Sequence, residues 1–215
     1  MCSKTKSVQI CGVDDAGRGS MLGPLVIAGI SLNKTNIHKL SLLGVKDSKQ
    51  LTPKLREELY KKIIALVDDY YVAKISPKSI DASVKKHGLN HLEAKYMAKV
   101  ILKLNSDTSY VDSCDVNPQR FGKEIAKLSN NKKIRSYHHA DSRFVVVSAA
   151  SIIAKVTRDR SIDKLRKNHD LGSGYPSDSK TINFVKSYYN ANHILPVFVR
   201  KSWKPTQKIL NKKLI

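Results

Sequence analysis

Two adjacent aspartates at the end of an apolar run most constrain how this chain can fold. Asp14 and Asp15 follow the largely apolar residues 8–13 and precede a glycine-rich turn, and a second apolar run covers residues 25–30. Apolar runs of this length, bounded by glycine and proline, predict two buried strands joined by a short loop. Aspartate is uncommon in strands and an uncompensated buried carboxylate is costly, so the pair predicts a neighbouring cation.

The turn after these acids places an arginine, Arg18, between two glycines, Gly17 and Gly19. Asp15 taken alone is better explained by an Asx-type turn that hydrogen-bonds its own backbone. The whole stretch is different, because glycines on both sides of an arginine let main-chain N–H groups approach a nucleotide closely. Residues 12–22 therefore favour a site for metal ions and phosphate.

Charge restricts the partners that the protein can have. The 215 residues include 39 Lys and Arg against 18 Asp and Glu, a formal net charge of +21 at pH 7. This excess favours a polyanionic partner, nucleic acid first and an anionic membrane surface second. No apolar run is long enough to span a membrane, the start lacks a signal-peptide core, and three cysteines at unrelated spacings suggest no disulfide framework. We therefore expect a cytoplasmic protein without a membrane partner.

Apolar spacing predicts that helices and strands alternate after the first two strands. The predicted elements are a helix starting at Thr52–Pro53, a strand over residues 70–75 ended by Ser76–Pro77, a helix capped by Asn90 and Glu93, a strand over 109–111 ending on Asp112, a strand over 134–138, a long helix over 145–168, and helices over 181–190 and 209–214. This order is typical of a mixed α/β layer structure.

The part of the chain after Asp178 has no acidic residue and many basic ones. The cations are Lys180, Lys186, Arg200, Lys201, Lys204, Lys208, Lys212 and Lys213, with Trp203, Tyr188 and Tyr189 among them. A solvated position explains any single lysine better, but the whole group is typical of a surface that contacts a phosphate backbone. We expect a domain over residues 1–178 and a basic helical segment over 179–215 packed on it. Truncation after Val199 should weaken the binding of all nucleic acids alike.

Four acids occupy positions where acids are unusual. Asp14, Asp15 and Asp112 close strands, and Asp159 lies on an apolar face of the long helix. Each one alone is more often a cap or an exposed acid, and Asp159 can pair with Lys155 one turn earlier. Together they predict a carboxylate cluster whose self-repulsion requires divalent cations, and all-oxygen ligands favour Mg²⁺ or Mn²⁺ over zinc. A basic protein with such a site is most simply a nuclease, because two such ions can promote phosphoryl displacement.

Five motifs in this order resemble the ribonuclease HII family, in particular its archaeal branch. They are GVDDAGRG (12–19), KDSKQLTP (46–53), VSAASIIAKVTRD (147–159), GSGYPSD (172–178) and VRKSWK (199–204). The resemblance covers nearly the whole chain. It implies a ribonuclease H-like α/β fold, a mixed sheet flanked by helices, with a small C-terminal helical part that helps to hold substrate. It also implies endonucleolytic cleavage of RNA in RNA–DNA hybrids and of ribonucleotides embedded in DNA, leaving 5′-phosphate and 3′-hydroxyl ends.

The resemblance also assigns roles to individual residues. The family's metal site, with two Mg²⁺ or Mn²⁺ ions in the active complex, corresponds to Asp14, Asp15, Asp112 and Asp159. The family's substrate-binding Gly-Arg-Gly motif, which grips the backbone at the junction ribonucleotide and senses its 2′-hydroxyl, corresponds to Gly17, Arg18 and Gly19. The family's tyrosine that packs on the next deoxyribose corresponds to Tyr175. Without the resemblance, the sequence is equally consistent with Tyr175 being a turn residue that caps the core. Lys46 and Lys49 are candidate phosphate contacts, although either one could simply be solvated.

Asp15 departs from the family, where the second acid is usually glutamate, and its carboxylate reaches less far by one methylene. Two other functions stay open from the residues: another ribonuclease H-like phosphotransferase, such as a resolvase or transposase subunit, and a non-catalytic protein that coats RNA or hybrids. The Gly-Arg-Gly motif and Tyr175 argue against the first. The clustered acids argue against the second, because a phosphate binder gains nothing from carboxylates. We expect a monomer that acts on hybrids and ribonucleotide-containing duplex DNA in replication and repair.

Overall fold

The computed structural model describes residues 7–45, 51–131 and 133–211. The predicted phosphate contacts Lys46 and Lys49 lie outside the described residues. The strands are β1 (Gln9–Ala16), β2 (Leu25–Asn33), β3 (Asp69–Ile75), β4 (Thr108–Asp112) and β5 (Ile134–Tyr137). The α-helices are α1 (Ile37–Leu42), α2 (Pro53–Leu66), α3 (Pro77–Val84), α4 (Leu89–Leu104), α5 (Pro118–Ser129), α6 (Ala140–Arg143), α7 (Val145–Arg166), α8 (Ser179–Asn192) and α9 (Lys204–Asn211).

The described residues form two compact units. The first contains residues 7–15, 27–45, 51–73, 93–131 and 133–156, and the second contains 16–26, 74–92 and 157–211. Strand β1 and helix α7 contribute residues to both. The division at residue 178 drawn from charge stays a prediction.

A five-stranded sheet in the order β3-β2-β1-β4-β5 confirms the predicted mixed sheet flanked by helices. β1, β4 and β5 run parallel, with Val13 opposite Val111 and Val111 opposite Ser136. β2 is buried along all but its last residue, as expected for a strand that is covered on both faces. The core of the first unit therefore forms around the two acid-bearing strands, β1 and β4.

Gly12 brings α7 into direct contact with β1. A Cβ atom at this position would collide with the main-chain atoms of Val146 and Val147. Any side chain would therefore push the first turn of α7 away from the strand, two residues before Asp14. This close packing sets the distance between the first acid and the helix.

Three helices begin with the same local signal, a polar cap followed by proline at the first helical position. Thr52 accepts a hydrogen bond from the Leu55 N–H at 3.3 Å at the start of α2, as predicted. The pairs Ser76–Pro77 and Asn117–Pro118 begin α3 and α5 in the same way. Sequence analysis treated the first of these pairs only as a strand end and did not predict α5, although the signal was present.

The predicted cap at Asn90 is wrong. Helix α4 already begins at Leu89, so Asn90 lies inside the first turn, and its side-chain oxygen accepts a hydrogen bond from Arg18. Glu93, the proposed partner in the cap, is fully buried. The Asn90 side chain instead contacts a residue distant in sequence, which a local capping pattern does not report.

The second unit has an apolar core of its own. Its buried members are Met21, Leu22, Ile162, Leu171, Val185, Leu195 and Val199. Leu22 and Val199 also form an isolated antiparallel bridge, which joins the start of this unit to its C-terminal part. In the described part of the chain, no helix is long and apolar enough to cross a membrane.

Candidate active site

The fold brings Asp14 and Asp112 to the same end of two neighbouring strands. The registered pair Val13–Val111 in β1 and β4 immediately precedes them, and the carboxyl ends of parallel strands are where ligands usually bind in such sheets. Asp14 is 5% exposed. Asp112 is half-buried, and its carboxylate accepts a hydrogen bond from the Ala140 N–H at 2.6 Å. We call Asp14 and Asp112 the acid pair.

Burial, and after it the neighbouring charges of Asp112 and Asp141, raise the pKa of Asp14 to a net value of about 7. Hydrogen bonds from the Ser151 side chain and from the Asp15 N–H, the latter at 2.7 Å, act in the opposite direction. A carboxylate with such a pKa is only partly ionised at neutral pH. A bound divalent cation would stabilise the charged form, so the site is electrostatically suited to one.

Asp15 is placed less directly than Asp14. β1 continues through both acids to Ala16, and successive side chains of a strand point to opposite faces. Asp15 is accordingly half-buried, whereas Asp14 is buried. The role of Asp15 as a metal ligand stays a prediction.

The donor chemistry of the acid pair fits Mg²⁺ or Mn²⁺. Among the described residues, no three His, Cys, Asp or Glu side chains form a group that could hold a metal ion. Mg²⁺ in particular is usually held by one or two carboxylates and completed by waters and substrate phosphates. Two carboxylates at strand ends would therefore suffice as the protein ligands of such a cation.

Residues 17–19 of the second unit form a turn that we call the glycine turn. Its two glycines, Gly17 and Gly19, have different roles. Gly17 has a φ of +85°, and a Cβ there would lie 3.1 Å from the Pro24 oxygen. Its carbonyl accepts a hydrogen bond from the Ser20 N–H at 3.2 Å. Gly19 is exposed and has no atom within 4 Å of the Cβ position. The backbone requires the first glycine, and the second leaves an open surface for a ligand.

Arg18 is half-buried and donates a hydrogen bond to the Asn90 side-chain oxygen at 2.7 Å. This contact fixes the direction of the Arg18 side chain before any substrate is bound. Local sequence patterns do not predict this partner, because 72 positions separate the two residues.

Arg158 supports both the glycine turn and the turn at residues 172–178, the tyrosine turn. It is 4% exposed and donates to the Ser20 hydroxyl at 3.0 Å and to the Ser173 carbonyl. Its guanidinium carbon lies 4.3 Å from the centre of the Tyr175 ring, within the range of a cation–π interaction. Sequence analysis missed this residue, although an arginine on the apolar face beside Asp159 was an available signal.

Hydrogen bonds fix the tyrosine turn around Gly174, which has a φ of +87°. Its carbonyl accepts from the Met21 N–H at 2.7 Å and from the Ser20 hydroxyl at 2.8 Å. Asp178 caps the N-terminus of α8 and its carboxylate accepts a hydrogen bond from the Ser173 N–H, which is the main cause that lowers the pKa of Asp178 to about 2. Tyr175 is thus held half-buried on a rigid turn.

Asp159 lies in the second unit, on α7, with a side chain that is 40% exposed. It accepts a hydrogen bond from its neighbour Arg158 at 3.2 Å. The fold therefore places Asp14, Asp15 and Asp112 in the first unit and Asp159 in the second. Its assignment as a metal ligand stays a prediction.

Arg200 is not the phosphate contact that sequence analysis expected, because it is fully buried. A guanidinium without exposure cannot meet a phosphate backbone. The charge count identified a basic segment but did not distinguish surface cations from an internal one.

The chain resembles proteins of known family over nearly all of its length. The family model described as Ribonuclease HII matches residues 11–206. The ribonuclease HII of Cenarchaeum symbiosum is 56% identical over 200 residues, which cover 93% of this chain and 97% of that protein. The crystal structure of the ribonuclease H2 from Pyrococcus horikoshii has a TM-score of 0.89 at 44% identity, covering 95% of this chain and 98% of that one. The RNase HII in a PCNA complex from Archaeoglobus fulgidus has a TM-score of 0.85 at 38% identity, covering 93% and 96%. The chain therefore belongs to the ribonuclease HII family, whose members are metal-dependent endonucleases that hydrolyse phosphodiester bonds.

Proposed function

We propose that this protein cleaves the RNA strand of RNA–DNA hybrids and incises duplex DNA at embedded ribonucleotides, leaving 5′-phosphate and 3′-hydroxyl ends. The observation that carries the proposal is the acid pair. A buried Asp14 with a pKa near 7 beside Asp112 is costly for a protein that only binds nucleic acid. In an enzyme, Asp14 and Asp112 would hold a divalent cation, which would supply charge stabilisation for phosphodiester hydrolysis.

The proposed ligands of the cations, two Mg²⁺ or Mn²⁺ ions in the active complex, are Asp14, Asp15, Asp112 and Asp159. Such ions, when bound, activate a water molecule and stabilise the leaving oxygen. Asp14 releases its proton as it becomes a ligand, because a cation favours the ionised carboxylate. The Ala140 N–H donates to the Asp112 carboxylate and holds it in place at the end of β4.

The glycine turn and Tyr175 are proposed to select the cleavage position. The exposed Gly19 allows the main chain to approach a sugar, and recognition of a 2′-hydroxyl is what distinguishes RNA from DNA at one nucleotide. Arg158 covers one face of the Tyr175 ring. The other face is then the one on which a deoxyribose would pack.

Exposed cations supply the phosphate contacts in this proposal. Lys180, Lys186, Lys201, Lys204 and Lys208 are all exposed, and Lys46 and Lys49 are proposed for the same role from the sequence. Such contacts give affinity without sequence specificity. We further propose a cytoplasmic monomer that serves replication and repair.

The test is incubation of three duplexes with the purified protein: one with a single ribonucleotide, one continuous RNA–DNA hybrid, and one of DNA only. We expect Mg²⁺- or Mn²⁺-dependent cleavage of the first two, with 5′-phosphate ends, and no cleavage of the third. The variant Asp14→Asn is the matched control that keeps the basic surface. Binding without cleavage would favour the protein that coats hybrids, and cleavage of the DNA-only duplex would favour another phosphotransferase.

A further inference from the structure

Two residues of the C-terminal segment hold the carbonyl oxygens of the glycine turn. Arg200 donates from Nη1 to the Arg18 carbonyl at 2.9 Å and from Nε to the Gly23 carbonyl at 3.2 Å. Trp203 donates from Nε1 to the Gly19 carbonyl at 3.3 Å. Two consecutive peptide bonds of the turn therefore have their oxygen atoms fixed by this segment.

The fixed carbonyls determine the direction of the opposite N–H groups. In a trans peptide the N–H points away from the C=O of the same peptide unit, and the described residues contain no cis peptide. Because Arg200 holds the Arg18 carbonyl, the Gly19 N–H points away from Arg200. The Ser20 N–H, by contrast, donates a hydrogen bond to the Gly17 carbonyl within the protein. Gly19 is exposed, with open space at its Cβ position, so a ligand can approach the main chain at this residue.

The burial of Arg200 indicates a specific role for this geometry. A charged group with no exposed surface is costly unless its hydrogen bonds are well formed. Arg200 donates two hydrogen bonds from its planar guanidinium, one to each of two carbonyls, and its guanidinium carbon lies 5.0 Å from the centre of the Trp203 ring. A lysine has a single donor atom and cannot reproduce this planar arrangement. Lys201, the next residue, is exposed, as a phosphate contact would be.

We propose that Arg200 and Trp203 are positioning residues that orient the Gly19 N–H toward the nucleotide at the RNA–DNA junction. The C-terminal segment would then determine substrate selectivity as well as overall affinity. This inference rests on the proposed function of the glycine turn. It replaces the expectation that truncation after Val199 weakens all nucleic acids alike, because such a truncation also removes the groups that hold the Arg18 and Gly19 carbonyls.

The test compares Arg200→Lys, Trp203→Phe and Lys201→Ala with the wild type. We would measure kcat and KM on a duplex with one ribonucleotide and on a continuous hybrid, and the thermal unfolding of each variant. A hydrogen bond from a charged donor is stronger than one between neutral groups. We therefore expect Arg200→Lys to lower kcat/KM on the single ribonucleotide at least about 10-fold more than on the hybrid. Trp203→Phe should lower kcat/KM on the single ribonucleotide about 3-fold more than on the hybrid. Lys201→Ala should lower kcat/KM on both substrates by a similar small factor.

An unchanged substrate ratio in both Arg200→Lys and Trp203→Phe would overturn the proposal. If Arg200→Lys fails to fold, Trp203→Phe decides, because it keeps an aromatic ring and loses only the N–H donor. A wild type that cuts neither duplex would overturn the proposed function instead. In that event the amide order parameter of Gly19, measured by NMR without substrate, still tests the positioning: it should fall in Arg200→Lys and not in Lys201→Ala, and an equal value in both would contradict it.

Discussion

The acid pair in the first unit and the two turns in the second differ in how well their polar groups are compensated. Asp14 is buried beside Asp112 and Asp141, and its pKa is raised to about 7. The carbonyls of Arg18, Gly19 and Gly174 instead accept hydrogen bonds from groups that hold them in one orientation. We expect a bound cation to complete the first region, whereas hydrogen bonds within the protein already organise the second. A hydrolase of this kind gains cation affinity from the former and discrimination between nucleotides from the latter.

The largest effect should come from removing one carboxylate charge of the acid pair. We expect Asp14→Asn or Asp112→Asn to lower cleavage of both substrates by about 10³-fold or more, because a cation ligand is lost. Hybrid affinity should change by less than about 3-fold, since the basic residues stay in place. Single-turnover cleavage and filter binding measure the two quantities separately.

The same substitution also separates a catalytic acid from a structural one. Asp14→Asn removes a buried charge and keeps an oxygen that accepts the Asp15 N–H, so the metal-free variant should unfold no lower than the wild type. Wild-type turnover in either variant would contradict the metal assignment. A large loss of thermal stability would instead indicate that the acid pair supports the fold.

The second effect tests the organised region. Arg18→Ala and Tyr175→Ala should lower the rate on a single embedded ribonucleotide by about 10–100-fold, in line with about 1–3 kcal/mol for an aromatic contact. Their affinity for plain duplex DNA should change little. The ratio of the two rates, on the embedded ribonucleotide and on the hybrid, is the measurement that matters. Equal losses on both substrates would mean that these residues contribute to general binding only.

The contrast between the two regions also explains what sequence analysis could predict. Strands β1, β2 and β4 and helices α2 and α7 follow from local apolar patterns and capping residues, and Asp14 and Asp112 stand out because acids rarely end buried strands. The hydrogen-bond partners of the turns do not follow from local patterns. Arg158 and Ser20 are 138 positions apart, and Arg200 and Arg18 are 182 apart. Only the folded chain shows that Arg200 is internal, because charge composition does not report burial.

Asp159 should give a smaller effect than the acid pair. Its side chain is 40% exposed and pairs with Arg158, so Asp159→Asn removes a charge that water already screens in part. We expect a loss of about 10-fold in kcat and a higher Mg²⁺ concentration for half-maximal rate. If Asp159→Asn lowers kcat as much as Asp14→Asn does, Asp159 contributes to catalysis as strongly as the acid pair does.

The raised pKa of Asp14 predicts how the stability of the metal-free protein depends on pH. The folded value of about 7 lies above the ordinary value of 3.8, so between these values the folded state binds more protons than the unfolded one. Stability from this group is therefore present at low pH and is lost as the pH rises to about 7. The wild type should lose about 2–3 kcal/mol relative to Asp14→Asn between pH 5 and pH 8, or about 4–12 °C in Tm. Calorimetry of both proteins in chelator checks this, and saturating Mn²⁺ should remove the difference for the wild type.

The smallest expected effect concerns Asp15, the acid that departs from the family pattern. β1 continues past it, so its side chain leaves the strand on the face opposite to that of Asp14. An aspartate also holds its carboxylate about 1.5 Å nearer to its own backbone than a glutamate does. Mg²⁺ requires a near-ideal octahedron at short distances, whereas the larger Mn²⁺ should tolerate the poorer placement. We expect the ratio of the Mn²⁺ rate to the Mg²⁺ rate to be about 2–5-fold higher in the wild type than in Asp15→Glu, since less than about 1 kcal/mol is involved. Equal ratios in the two proteins would show that Asp15 serves its cation as well as the glutamate does, and the acid pair would then be a group of three equivalent ligands.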